Sequence, residues 1–165
     1  KNRKILEDGH VYSKNMEHDA CGVGLIASTE GRKSRKVVEY GINALKAVFH
    51  RGAVDADGKT GDGAGIHLEI PYDFFAEKIE ITGHGHDGSE ICVGMIFLPR
   101  NNYEAQENSR TLVESELTKS NFSIYGWRQV PVNPKVLGEK ANLTRPEITQ
   151  VLFKHNDKNL RGKDL

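Results

Sequence analysis

The residues of this chain whose types could do chemistry are two cysteines, an arginine behind a helix, a glycine-rich acidic loop and a pair of histidines. Cys21 opens the first apolar stretch directly after a polar leader, and Gly22 and Gly24 leave its surroundings sterically open. Such a thiol is either a nucleophile or a small core residue, because free cysteine packs as a small hydrophobe. Cys92 stands inside the apolar run Ile91 to Leu98 and reads as core. Arg51 lies in His50-Arg51-Gly52, just past the strongest helical pattern. Its planar fork suits a carboxylate, and it equally suits the last carbonyls of the helix. His50 beside it reads as structural.

The segment Thr60-Gly-Asp-Gly-Ala-Gly-Ile66 is glycine-rich, yet it has no lysine of a phosphate loop and leads toward a strand pattern where such a loop would open a helix. Nucleotide binding is therefore not expected. His84-Gly-His86-Asp87 offers two histidines without a third and fourth ligand at workable spacing, and reads as a solvated hairpin loop. Trp127 and Tyr125 read as packing residues. The sequons at Asn121 and Asn142 carry no weight in a cytoplasmic chain.

The elements that must position these groups follow from hydrophobic period and punctuation. Cys21–Ser28 reads as a short buried strand. Val38, Ile42, Leu45 and Phe49 share one helical face, and Gly41 within it reads as a packing contact. Gly52 is expected to end that helix in the left-handed conformation. A Gly/Asp-rich loop covers residues 52–65. A second strand is expected at Ile66–Ile70, then a Pro71-initiated turn carrying Phe74 and Phe75, and a third strand at Ile91–Leu98 closed by Pro99. Asn101 or Asn102 caps a helix running to about Lys119. Strands at Phe122–Val130 and Ile148–Lys154 complete an α+β order with a mostly antiparallel sheet and helices on its faces.

Composition narrows the class of protein. The chain has 165 residues with 23 basic and 23 acidic side chains, so no net field draws it to nucleic acid or an anionic membrane. Hydrophobic residues make up 37%, and with 17 Gly they approach the globular norm of roughly 45–50%. No apolar run approaches the roughly 18 residues that span a bilayer. Two cysteines without CxxC spacing fit a reducing compartment, and the polar start is no secretory signal. The reading is a cytoplasmic chain with no nucleic-acid and no membrane partner.

Taken in order, Asp19-Ala20-Cys21-Gly-Val-Gly24, His50-Arg-Gly-Ala53 with Asp57-Gly58, Thr60–Ile66, Val93-Gly-Met-Ile-Phe-Leu-Pro99, Gly126-Trp-Arg-Gln-Val-Pro131 and Val136-Leu-Gly138 resemble the class II glutamine amidotransferases. The resemblance is nearest to the glutamate synthase large-subunit group. It implies an N-terminal-nucleophile fold, a four-layer αββα sandwich that is incomplete in this chain. It also implies that residues 1–20 are a leader and 21–165 the N-terminal part of the amidotransferase domain.

The implied activity is hydrolysis of L-glutamine to glutamate and ammonia through a cysteinyl thioester on Cys21, the ammonia passing to 2-oxoglutarate in the complete enzyme. Leader removal would free the α-amine of Cys21 as general base. An α-amine pKa of about 7.7–8.0 lies close to a thiol's, at about 8.5, so proton exchange between them is easy near neutrality. Arg51 is implied at the rim of the glutamine site as a substrate-binding residue, and Asp62 as a group orienting backbone amides. No cofactor or metal is implied in this chain. FMN, an iron–sulfur cluster, the synthase domains and a small reductase subunit are expected of the parent enzyme.

The family's oxyanion-hole Asn-Gly pair does not occur in these residues. The expectation is a fragment, almost inactive alone. The alternatives are another class II amidotransferase, or a non-catalytic binding or regulatory module with the same fold.

Overall fold

The computed structural model describes residues 22–49, 52–61 and 63–157. The chain divides into two compact units, Lys1–Gly52 and Ala53–Leu165.

The first unit carries helix α1, Arg35–Ala47. Ser34 begins it in the extended conformation, its hydroxyl accepting the Lys36 N–H at 3.2 Å, which satisfies one of the donors a helix start leaves open. Arg35 and Glu39 pair one turn apart on the exposed side. Val38, Gly41, Ile42 and Leu45 are half-buried, so the expected apolar stripe holds over these turns and Gly41 does not break it, but Phe49 lies beyond the helix and is 75% exposed. The helix stops earlier than expected, at Val48, whose N–H turns back to the Ala44 carbonyl. Gly52 therefore does not end the helix, whose last turn has already closed at Val48.

The strand expected over Cys21–Ser28 is not formed across its described part. Residues 22–28 join no ladder, and Val23 and Leu25 are 92% and 91% exposed. The described residues of this unit contain no second strand. A lone extended segment has no partner for its backbone groups and no surface to bury against.

The second unit is built on a three-stranded antiparallel sheet, β1 Cys92–Leu98, β2 Phe122–Gln129 and β3 Glu147–His155, in the order β1-β3-β2. The register sets Val93 opposite Leu152 and Trp127 opposite Val151. Gly94 also faces Val151, and a β-carbon there would come within 2.8 Å of Val151 Cγ1, so glycine lets the central strand lie close to β1.

Helix α2, Tyr72–Ile81, covers one face of the sheet. Its Phe75 and Ile79, four residues apart, join Ile91, Tyr125 and Leu152 in the core. Helix α3, Tyr103–Lys119, lies over β1 and β2, with Trp127 Nε1 donating to Glu114 Oε1 at 2.6 Å. Leu98, Thr149 and Val151 are buried on that side. Asn102 caps α3 by accepting the Ala105 N–H at 2.9 Å, as one of the two expected asparagines.

Two expectations between residues 66 and 81 are corrected. Ile66–Ile70 forms no strand, and Ile66, Leu68 and Ile70 remain partly exposed. Their alternation has the strand period but meets no neighbouring strand. The turn expected at Phe74 and Phe75 is the ten-residue α2. Pro71 fits ahead of a first turn that needs no N–H from it, and Asp73 sits at the positive end of the helix dipole. A 3-10 turn at Pro134–Val136 and a short helix α4, Glu139–Thr144, complete the unit.

Candidate functional site

Cys21, His50, Arg51 and Asp62 all lie outside the described residues. The described part of the surrounding motifs is the loop 53–61 in the second unit. Val54 and Gly61 pair across its base, and Asp55 N–H donates to the Thr60 carbonyl at 2.7 Å. At its tip Gly58 takes φ 68°, and its N–H bonds the Asp55 carbonyl at 2.9 Å, a turn that glycine makes without steric cost.

Asp57 organises the tip. Its Oδ1 accepts the N–H groups of Lys59 at 2.9 Å and Thr60 at 2.7 Å, and its Oδ2 accepts the Thr60 hydroxyl at 2.6 Å. The Thr60 hydroxyl and these amides all bond the charged form, and they lower the Asp57 pKa from 3.8 to about 2. A group held so firmly as an anion is a poor proton carrier near neutrality. Its chemistry is to hold backbone.

The loop lies directly against Gly138. A β-carbon there would overlap Thr60 Oγ1 and Asp57 Oδ2 and come within 2.6 Å of the Thr60 backbone nitrogen. Lys140 adds an ion pair to Asp55 at 2.6 Å. Two motifs singled out in the sequence, Asp57-Gly58 with Thr60-Gly61 and Val136-Leu-Gly138, are therefore one structural feature.

The histidine loop is largely exposed, as its polarity suggests, but it joins α2 to β1 and so is no hairpin, and His86 within it is half-buried. The Tyr72 hydroxyl lies 3.0 Å from His86 Nδ1, and Gly88 N–H points at the same nitrogen at 3.3 Å. Nδ1 therefore serves as acceptor, and Nε2 donates to the Ser89 carbonyl at 3.0 Å. Lys154 bonds Asp87 at 2.7 Å. That bond, with those from Ser89, holds the Asp87 carboxyl well below the usual carboxylate range, and the same Asp87 bond raises Lys154. These groups are engaged in tying the loop to α2 and β3. Among the described residues no cluster of His, Cys, Asp and Glu is arranged to hold a metal ion.

Cys92 is half-buried, and burial first, then the charge of Glu90, pushes its thiol up. A raised pKa leaves little thiolate, which agrees with its reading as a packing residue.

Comparison with known proteins identifies the family. Residues 21–165 match the family described as "Glutamine amidotransferases class-II". The chain belongs to this family. Among similar proteins, the glutamate synthase [NADPH] large chain of Azospirillum brasilense is 53% identical over 155 residues, covering 94% of this chain and 10% of that protein. Ferredoxin-dependent glutamate synthase 2 of Synechocystis is 40% identical over 137 residues, covering 82% and 9%. Glutamate synthase [NADH] of Saccharomyces cerevisiae is 37% identical over 148 residues, covering 87% and 7%.

The amidotransferase chain thus spans about a tenth of the length of these curated relatives. Its mixed α/β content fits the class-II family. No helix among the described residues is long and apolar enough to cross a membrane.

The sequence reading missed the contact between Asp57 and Gly138. The signal available was weak. An Asp-x-x-Thr pair can form a local side-chain turn, and Gly138 precedes Glu139 where an ordinary helix start would carry a capping side chain.

Proposed function

We propose that this chain carries the nucleophile of the glutaminase portion of a glutamate synthase. The observation that carries the reading is where the family match begins. It starts at Cys21, the residue that the reading makes the first of the mature domain, with residues 1–20 as a removable leader. The glutamate synthase relatives, matched over most of this chain, support that group over others in the family.

In the proposed mechanism the freed α-amine of Cys21 takes the thiol proton as the sulfur attacks the side-chain amide carbon of glutamine. The tetrahedral oxyanion collapses by breaking the carbon–nitrogen bond. The α-ammonium gives its proton to the departing nitrogen, so ammonia leaves and a glutamyl thioester remains. Water, deprotonated by the same amine, then hydrolyses the thioester to glutamate and regenerates the thiol. Arg51 binds substrate at the rim of the site, where a guanidinium pairs with a carboxylate in two parallel hydrogen bonds.

The finer fold assigned is the four-layer αββα sandwich, incomplete in this chain. The ammonia is passed to 2-oxoglutarate in the complete enzyme. A small reductase subunit and the synthase domains are its proposed partners, and the cytoplasm its proposed compartment.

An iron–sulfur cluster is usually held by four cysteine thiolates, and this chain has 2 cysteines with Cys92 half-buried in a strand. The residues do not fit such a cluster. For FMN, residues 63–70 behind the glycine-rich segment open no helix that would receive a phosphate. Both groups are assigned to other domains, and no step above uses them.

Intact-mass and N-terminal analysis of active enzyme is expected to show Cys21 as the first residue. A glutamine-analogue electrophile is expected to label Cys21 alone. Full glutaminase activity with Ala20 still attached, or in Cys21→Ser, would overturn the proposal.

A further inference from the structure

We propose that the half of the sheet face left open beside helix α2 is the seat of a further segment of the same polypeptide, one that brings a carboxylate to Arg128 among apolar side chains. The proposal rests on the function proposed above, which makes this chain part of a longer enzyme. Helix α2 covers the row of the sheet where Val93 faces Leu152. Two residues further along each strand, the next row on the same face is Met95, Gln150 and Arg128, one from each strand. Met95 is 47% exposed there, Phe97 two residues on is 65% exposed, and Phe74 on α2 is 39% exposed.

The row is joined side to side. Gln150 Nε2 lies 3.1 Å from Met95 Sδ, Gln150 Oε1 accepts from Arg128 Nη1 at 2.5 Å, and the Arg128 guanidinium lies over the Phe74 ring, 5.2 Å from its centroid. Arg128 is half-buried, and among the described residues it has no carboxylate partner. A guanidinium has several N–H donors, and the bond to Gln150 uses a single one. A charge drawn partly out of water needs an opposite charge, and stacking on a ring offsets only part of that cost. The group that suits the remaining fork is a carboxylate held by parallel bonds. Exposed apolar side chains scattered singly need no explanation, but here Met95 and Phe74 flank the arginine row and Phe97 extends the patch.

Length and chemistry together favour an occupant from the same polypeptide. This chain covers 10% of the Azospirillum brasilense protein that it matches. In an enzyme of that length a tethered segment meets the face at the effective concentration of an intramolecular contact. A small acidic ligand would satisfy Arg128 and leave the apolar side chains wet, whereas an apolar segment carrying a carboxylate satisfies both. In the 165-residue chain by itself the face stays open, and Phe97 there faces solvent.

The experiment uses the protein at the full length its gene encodes. Oxidation of Met95 by hydrogen peroxide, read by peptide mass, is expected to be about tenfold or more slower in the native protein than in the protein unfolded by urea. In Arg128→Gln the native rate is expected to rise about tenfold, the loss of a bond between charged groups, and in Arg128→Lys by less. Arg128→Lys also offers carbodiimide an amine, which is expected to link position 128 to an aspartate or glutamate beyond residue 165 of the same molecule. Mixing isotope-labelled and unlabelled protein tells links within a molecule from links between molecules. Met95 oxidising in the native protein within about threefold of the unfolded rate would show an open face and overturn the proposal. So would the absence of any link from position 128, a link to residues 1–165, or a link between copies, which would make a second copy the occupant. Glutaminase activity persisting in Cys21→Ser would overturn the function proposed above, while oxidation and cross-linking would still decide what covers Arg128.

Discussion

Replacing Leu152 by alanine tests whether the second unit is held by the core assigned to it. Leu152 is fully buried on the central strand β3, opposite Val93 and Gly126, and packs with Phe75, Ile79, Ile91 and Tyr125. Truncating a buried leucine loses the transfer free energy of the removed carbons and leaves a cavity, at a cost of about 2–5 kcal/mol. The upper half of that range is expected, because the cavity walls belong to α2, β1 and β2, which the sheet register keeps from closing inward. Against a total stability of roughly 5–15 kcal/mol this is a large loss. At roughly 2–4 °C per kcal/mol it lowers the melting temperature by roughly 5–20 °C.

The control is Phe97→Ala. Phe97 lies on the same face of the sheet but is 65% exposed, and the expected cost is below about 1 kcal/mol. Thermal and urea melts followed by far-ultraviolet circular dichroism measure both variants. A Leu152→Ala change within about 1 kcal/mol of the parent, or a Phe97→Ala loss equal to it, would refute the core assignment.

Three further outcomes follow from the same contacts. The Asp57 pKa is lowered on folding, so its contribution is present above the unfolded value of 3.8 and is lost as pH falls through about 2. Carboxyl chemical shifts of Asp57 followed by NMR should titrate near that pH, and a midpoint at or above 4 would contradict the bonds described. Cys92, raised by burial, should react with iodoacetamide at pH 7 several times more slowly than a free cysteine, read by peptide mass; equal rates would show an open thiol. Glu114→Ala removes the charged acceptor of the single tryptophan, Trp127, and should cost about 1–2 kcal/mol while changing its fluorescence; an unaltered spectrum would place the indole elsewhere.

Elements with a long, well-punctuated pattern were legible before any coordinates. Helix α1 has its apolar stripe, α3 its asparagine cap, and the three strands their apolar runs between turn residues. The short segments were not. Ile66–Ile70 alternates as a strand does, but a strand exists only where another backbone accepts its hydrogen bonds, and the described sheet places none beside it. Tyr72–Ile81 has too few turns for its period to outweigh Pro71 and two adjacent phenylalanines, and it becomes a helix because Phe75 and Ile79 land on the sheet. The exposure of the histidine loop was legible because polarity is a local property, whereas its ties to Tyr72 and Lys154 come from other elements.

The sequence by itself determined the family. The order of its motifs, from Cys21 before two glycines through His50-Arg51-Gly52 to Val136-Leu-Gly138, resembles the class II glutamine amidotransferases, and the family match over residues 21–165 agrees. Residue types and their order along the chain carry that information without any coordinates. Only the tertiary structure decided that Asp57, Thr60 and Gly138 form one clasp. Asp57 Oδ2 and Thr60 Oγ1 come to lie against the start of α4, and the room for them comes from an absent side chain at Gly138. Neither can be read from a neighbour in the chain, because both are made by folding distant segments onto one another.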